Sequence, residues 1–403
     1  MTKTAVGVII ITALVAFAII YLHKNISPTA KSSTTTVNTA TKNSPSSQVK
    51  ISSGEIPEIP FKLLQGFVVH IFASALGSAR DLQYSPEGTL LVSNPNSGEV
   101  YALPDHDHNG VADRNVKIIS GENRPHGLAF YGDKLFVAEE DRVVRYNWSE
   151  SNLTATKDKI LFALPANSDH NNRTITFDNS GKMYVSVGST CNVCIESSNL
   201  SATVLVSDAE GHGPTIFANG LRNASFIVIN SKTQELWGTE MGRDKLGDNI
   251  PPDEINIIKV GKNYGWPNCY GDKVHDINFD NNTNDPCTNT EPPIFQIPAH
   301  SAPLGLTFIN SSQFPQDWQG DLLVAYHGSW NRSVPTGYKV VHMKVSENSI
   351  AGAEDFLTGF LPASAKNGPA SSLGRPVNLT FDSVGNLYLS DDKAGNVYII
   401  QKQ

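Results

Sequence analysis

The chain has 403 residues, a formal net charge of -8 and 17% charged residues. A mildly acidic chain without a Lys/Arg block lacks the electrostatic footprint of nucleic-acid binding, so small, neutral or soluble partners are expected. Its length allows one large all-β domain or two ordinary ones.

The chain opens with "MTKTAVGVIIITALVAFAIIYLHK", uncharged and mostly apolar from Ala5 to Leu22 between Lys3 and Lys24. A spanning helix needs about 20 residues, whereas a cleaved signal peptide has a shorter apolar core and a small-residue cleavage site. The length favours a transmembrane anchor over residues 1–24, with secretion as the alternative if the segment is cleaved. Residues 25–57 are rich in Ser, Thr and Asn and cannot form a core, which reads as a stalk. Residues 58–403 are therefore expected as a domain on the extracytoplasmic side, with the membrane as a partner through the N-terminal helix. Sequons at Asn147, Asn152, Asn172, Asn223, Asn331 and Asn378 matter only where exported proteins are glycosylated.

After Pro60 one unit recurs: a short strand, a tight Gly/Asp/Asn turn and a second strand, most often with a third. It starts at Ala79 ("ARDLQYSPEGTLLVSN"), Pro125 ("PHGLAFYGDKLFVAEE"), Arg173 ("RTITFDNSGKMYVSVGS"), Ala224, Pro303 and Pro376 ("PVNLTFDSVGNLYLSDD"). A single unit cannot bury its apolar face, but stacked blades can, and a ring leaves only short edges. The copies predict an all-β, six-bladed β-propeller, with a two-sheet sandwich as the alternative. The gaps 243–302 and 327–375 leave room for insertions lining one face.

"DHDHNGVAD" places Asp105, Asp107 and Asn109 at alternate positions, Gly110 at the turn and Asp113 at the ninth. This follows a calcium loop, although Val116 stands where the chelating Glu belongs, and Asx-turns without metal look similar. A calcium ion here is expected to be structural. "CNVC" (Cys191, Cys194) admits a redox motif or half a zinc site. With Cys269 and Cys287, two disulfides, 191–194 and 269–287, are the simpler account for an exported chain. Just before the inner strands stand Arg80, His126, His170, Arg222 with Asn223, His300 and Arg375. In a propeller these positions converge on one end of the central channel. They predict a pocket for a polyanionic ligand, with the imidazole of His170 as a base. A metal-dependent hydrolase built on His126, His170 and His300 is an alternative, while no GxSxG elbow or strand-borne GxGxxG is present.

The stretches "RTITFDNSGKMYVSVGSTCNVC", "GLRN", "ELWGTEMGRDKLGDNIPPDEIN", "NYGWPNCYGD", "HSAPLGLTF" and "GDLLVAYHGSWNRSVPTGYKVV" keep their order over about residues 61 to 402. They resemble the sorbosone and soluble glucose dehydrogenase family, six-bladed quinoproteins that use pyrroloquinoline quinone (PQQ), and are most similar to its sorbosone dehydrogenase-like branch. The resemblance implies oxidation of a small sugar or aldehyde, with electrons passed to an external acceptor such as a cytochrome or a quinone. It implies His170 as general base and Arg222 as stabiliser of negative charge on the quinone, with Asn223 beside it. It also implies Ca2+ on the carbonyls of Met241 and Gly242 in the turn that holds Arg243. Further cofactor contacts carry over to His300, Trp330, Arg332 and Arg375, and His126 joins them from the ring. A non-catalytic carbohydrate- or protein-binding propeller is the alternative, which would have no use for a base beside an anion-stabilising arginine.

Overall fold

The sheets follow the repeats. In a computed structural model, which describes residues 47–48, 59–166, 169–281 and 284–403, strands β1 (Ser47–Gln48), β2 (Lys62–Leu63) and β3 (Phe67–Ala73) precede the first blade. Blade 1 is β4 (Leu82–Tyr84), β5 (Leu90–Asn94), β6 (Glu99–Leu103) and β7 (Val116–Ile119). Blade 2 is β8 (Gly127–Tyr131), β9 (Lys134–Ala138), β10 (Arg142–Ser149) and β11 (Thr154–Ala163). Blade 3 is β12 (Ile175–Phe177), β13 (Lys182–Val187), β14 (Thr203–Asp208) and β15 (Thr215–Asn219). Blade 4 is β16 (Phe226–Ile229), β17 (Leu236–Glu240), β18 (Asp253–Ile258) and, after a small hairpin of β19 (Cys269–Tyr270) and β20 (Val274–His275), β21 (Phe295–Ile297). Blade 5 is β22 (Pro303–Phe308), β23 (Leu322–Tyr326), β24 (Lys339–Ser346) and β25 (Ser349–Thr358). Blade 6 is β26 (Pro376–Phe381), β27 (Leu387–Asp391) and β28 (Asn396–Lys402).

All pairs within the blades are antiparallel, and the fourth strand of blade 6 is β3, from the other end of the domain. Residues 67–402 thus form a six-bladed β-propeller closed by pairing the first and last strands of the ring. The closure keeps the first and last blades from presenting an open edge. β2 and β1 extend blade 5 outward.

Second strands are buried almost throughout, completely so in "LLVSN" of β5 and "LLVAY" of β23 and after the first lysine in β9 and β13, because each sheet is covered by a neighbour on both faces. Six apolar clusters fill the six interfaces between blades. Phe61, Leu323, Leu389 and Tyr398 lie in the one between blades 5 and 6, and Ala129, Phe136, Val185 and Leu205 in that between blades 2 and 3.

Near the axis there is little room for side chains, and backbone meets backbone. A Cβ on Gly127 would lie 2.5 Å from the Arg173 carbonyl oxygen and 2.8 Å from the Ile175 nitrogen, so β8 can approach β12 only as glycine. Polar groups tie the blades together there. Asp81 Oδ2 accepts from Leu128 N at 2.7 Å, and Asp81 Oδ1 accepts from Leu82 N and from Asn378 Nδ2 of blade 6. Thr174 Oγ1 donates to the Ser225 carbonyl, and Thr239 Oγ1 to that of Leu304 at 2.8 Å.

The expected membrane anchor is corrected. Crossing a bilayer as a helix takes about 20 apolar residues, and among the described residues no helix is long and apolar enough to do so. The α-helix they contain, Gly368–Ser371, has four residues. The membrane partner and the membrane-anchored extracytoplasmic placement lose their support with it. The segments 1–24 and 25–57, on which those expectations rested, fall outside the described residues apart from Ser47 and Gln48. Both expected disulfides are present, Cys191–Cys194 and Cys269–Cys287.

Asp81 is the acceptor that joins blades 1, 2 and 6. Asp81→Ala leaves three buried donors without it and should lower stability by about 2–4 kcal/mol. Denaturant unfolding reads this directly; an unchanged midpoint would contradict the bridging role.

Candidate functional site at the channel mouth

The six innermost strands follow one another round the ring in the same sense, so their first residues gather at one end of the channel. Second strands run antiparallel to them and bring their last residues to the same end. Two positions per blade therefore supply the mouth.

His170 lies five residues before β12. It rests against the end of β13, where a Cβ on Gly188 would come within 2.6 Å of the His170 Cβ. His170 Nδ1 is 2.8 Å from Ser189 Oγ and 3.1 Å from the Ser189 carbonyl oxygen. A carbonyl only accepts, so Nδ1 carries the hydrogen and Nε2 the lone pair. Burial, followed by the nearby Arg222 charge, lowers the imidazole to about 3, with Arg173 adding to the effect and the Ser189 bond opposing it. At neutral pH the ring is uncharged.

Arg222 is buried, and each of its five N–H groups has an acceptor. Nε donates to the Asn192 carbonyl at 2.9 Å, and Nη2 to Asn192 Oδ1 at 2.9 Å and Asp244 Oδ2 at 3.2 Å. Nη1 donates to the carbonyls of Met241 at 3.3 Å and Gly242 at 3.1 Å. Burial lowers its pKa, while Asp244, Glu240 and Asp253 oppose that loss. Asp244 also accepts from Asn331 Nδ2 at 2.8 Å and lies 3.7 Å from His300 Nδ1. Loops from both insertions thus meet on it. Asn223 N donates to Glu240, and its Nδ2 to the Met241 sulfur.

On the other side of the mouth, Arg80 pairs with Asp392 at 2.8 Å, and His327 Nε2 lies 2.9 Å from the same carboxylate. Burial would raise Asp392, but His327 and Arg80 hold it well below the usual carboxylate range. His327 is lowered to about 4, chiefly by burial. Arg375 donates to the carbonyls of His327 and Gly328 and lies 5.7 Å above the Tyr338 ring. Trp330 is 63% exposed, and Arg332 reaches Asn249 Oδ1 at 3.1 Å.

Some expected residues lie elsewhere. His126 is inside the channel; its Nδ1 donates to the Arg173 carbonyl, its ring lies 5.2 Å from Phe226, and its buried Nε2 has no hydrogen-bond partner. Arg243 turns away from the mouth into a buried bidentate pair with Asp276. The Asp105 loop is at the opposite end, beside a hollow of about 610 Å³ that Tyr84, Asp382 and Tyr388 also line. Asp105, Asp107 and Asp113 do converge there, but Asp105 already accepts from the amides of Asn109 and Gly110. Among the described residues His126, His170 and His300 form no metal-ligand group, so the hydrolase alternative finds no centre.

Sequence reasoning missed Ser189, Asn192, Asp244, His327 and Asp392. Ser189, His327 and Asp392 stand just after second strands, a position the repeats already define. Nothing local in "CNVC" or "GRDKLGD" marks Asn192 or Asp244 as partners of Arg222.

The donor set suits a flat polyanion. Arg80, Arg222, Arg332 and Arg375 gather at one mouth, and the buried Nε atoms of Arg80 and Arg332 have no hydrogen-bond partner. A calcium ion on the Met241 and Gly242 carbonyls does not fit this arrangement. It would need those oxygens at about 2.3–2.6 Å, and both face the Arg222 guanidinium.

His170 has a folded-state pKa below its ordinary 6.5, so the unfolded chain binds the proton first and stability falls as pH drops from about 6.5 toward 3. His170→Gln should remove one proton from that slope, measured as unfolding free energy against pH. A slope equal to wild type would show that the imidazole is not held neutral.

A protein of Borreliella burgdorferi described as uncharacterised is 30% identical over 373 residues, 87% of this chain and 93% of that one. The pyrroloquinoline quinone-dependent sugar dehydrogenase of Hypocrea jecorina is 23% identical over 84% of this chain and 88% of its own. Among solved structures, the holo PQQ domain of pyranose dehydrogenase from Coprinopsis cinerea superposes with a TM-score of 0.75 at 22% identity, covering 88% of this chain and all of that one. The calcium structure of Trichoderma reesei Carbohydrate-Active Enzymes Family AA12 gives a TM-score of 0.74 at 22% identity, over 89% and 99% of the two chains. These similarities do not single out the sorbosone branch. The TrAA12-like family model matches residues 61–403, and the chain belongs to that family.

Proposed function

We propose that the chain is a PQQ-dependent dehydrogenase that oxidises a sugar or an aldehyde and passes the electrons to an external acceptor. The observation that carries this reading is the pairing of an uncharged His170 with a buried, fully bonded Arg222 at a mouth ringed by arginines. The Hypocrea and Coprinopsis proteins, named as PQQ-dependent sugar and pyranose dehydrogenases, support it. When bound, PQQ supplies a quinone that takes up hydride.

Arg80, Arg332 and Arg375 would hold its carboxylates. Arg222 has no spare N–H in this arrangement, so it acts through fixed charge, placed before the reaction and costing no reorganisation during it. The lone pair on His170 Nε2 takes the proton of the substrate hydroxyl. His300, near Asp244, and Trp330 on the rim border the space where substrate would lie. A structural calcium ion at Asp105, Asp107, Asn109 and Asp113 belongs to this reading, remote from the reaction. A sorbosone-like keto-aldehyde is one member of the proposed substrate class.

Purified chain given PQQ and Ca2+ should reduce an electron-accepting dye with aldoses, pyranoses or keto-aldehydes. His170→Ala should lower kcat by roughly 10²–10⁴-fold and leave PQQ binding nearly intact. No reduction across the panel would refute the reading, and a wild-type rate in the variant would remove His170 as the base.

A further inference from the structure

His170 and Arg222 both bond to one short loop, the one that follows β13. Ser189 lies against His170 Nδ1, and its amide donates to the Arg222 carbonyl at 2.7 Å. Ser189 Oγ donates to the Cys191 carbonyl at 2.7 Å, so the loop folds back on itself just beneath the imidazole. Three residues on, Asn192 offers its carbonyl to Arg222 Nε and its Oδ1 to Nη2. The same Oδ1 accepts from Asp244 N at 2.8 Å, while Nδ2 donates to the Asp244 carbonyl at 3.1 Å. Trp266 Nε1 donates to the Asn192 carbonyl at 3.3 Å. Asn192 thus touches both the guanidinium and the backbone of its carboxylate partner.

The four-residue ring Cys191–Cys194 encloses Asn192. Thr190 adds two bonds to Glu196, at 2.8 Å through its amide and 2.7 Å through its hydroxyl, which pin the far side of the loop. A surface disulfide that merely closed a turn would not need its enclosed side chain to make three directed bonds to a buried arginine and its half-buried aspartate. Ordering the backbone of a flexible loop to make them would cost conformational entropy; the covalent ring lowers that backbone cost in advance.

We propose that Asn192, held by the Cys191–Cys194 ring, is a positioning residue that fixes the Arg222 guanidinium relative to His170. Arg222 is the charge and Asn192 its clamp. The idea rests on the dehydrogenase reading for its consequence in turnover, but the geometry it claims exists without cofactor.

The test therefore has a cofactor-free arm. The His170 imidazole is titrated by NMR in wild type, Asn192→Ala, Cys191→Ser/Cys194→Ser and Arg222→Gln, with the melting temperature as a check on folding. Arg222→Gln sets the full effect of removing the charge. Asn192→Ala should move the midpoint upward by about one pH unit, the scale of displacing one nearby charge, and the double serine variant in the same direction. In a second arm, dye reduction with PQQ should show kcat lowered at least tenfold in Asn192→Ala with KM for substrate within a factor of about two, the signature of a lost transition-state contribution. A folded Asn192→Ala whose His170 midpoint matches wild type would overturn the proposal. If Asn192→Ala does not fold, the double serine variant carries the same decision. Failure of dye reduction in every protein, with the midpoint shift intact, would count against the dehydrogenase reading and leave the clamp standing.

Discussion

A buried guanidinium with no unused N–H organises the mouth of this propeller. Arg222 cannot be taken from water unless each donor finds an acceptor and its charge a counter-charge. The chain meets that demand with the carbonyls of Met241, Gly242 and Asn192, the amide oxygen of Asn192 and the carboxylate of Asp244. These come from the disulfide loop of blade 3 and the insertion after β17, while Asn331 of blade 5 closes on the same Asp244. Three segments far apart in sequence are fixed because one cation must be satisfied.

That cation also sets the chemistry beside it. Burial and the Arg222 charge keep His170 neutral, giving a proton acceptor next to a positive field. The opposite side of the mouth uses another solution. There Asp392 stays ionised between His327 and Arg80, so that wall is nearly compensated and Arg375 is left anchored by carbonyls and an aromatic face. Burial raises Asp81, beside the inner strands, to about 7, and does the same to Asp253 and Glu254 at the start of β18 in blade 4.

Much of this was legible in the residues. The starts at Ala79, Pro125, Arg173, Ala224, Pro303 and Pro376 fall within three residues of the observed inner strands, because the turn-centred repeat is a local signal. The strand Phe67–Ala73 was not, since its partner lies at the other end of the domain and closure leaves no periodic trace. His170, Arg222, His300 and Arg375 do reach one mouth, as their place before inner strands implies. Arg243 shared the turn but not the destination, because Asp276 in the insertion captures it, and a long-range ion pair has no spacing to read. His126 is tied instead to the Arg173 carbonyl of the next blade, a contact between blades that no spacing in the sequence announces.

The proposed function requires the arginine-ringed mouth around His170 and Arg222 to be a single site for PQQ. Calorimetric titration of PQQ into the purified chain, and into Arg222→Gln and Arg375→Gln, tests it most directly. One binding event per chain is expected, weakened at least tenfold in each variant. Absence of binding heat, or binding that neither substitution alters, would contradict it.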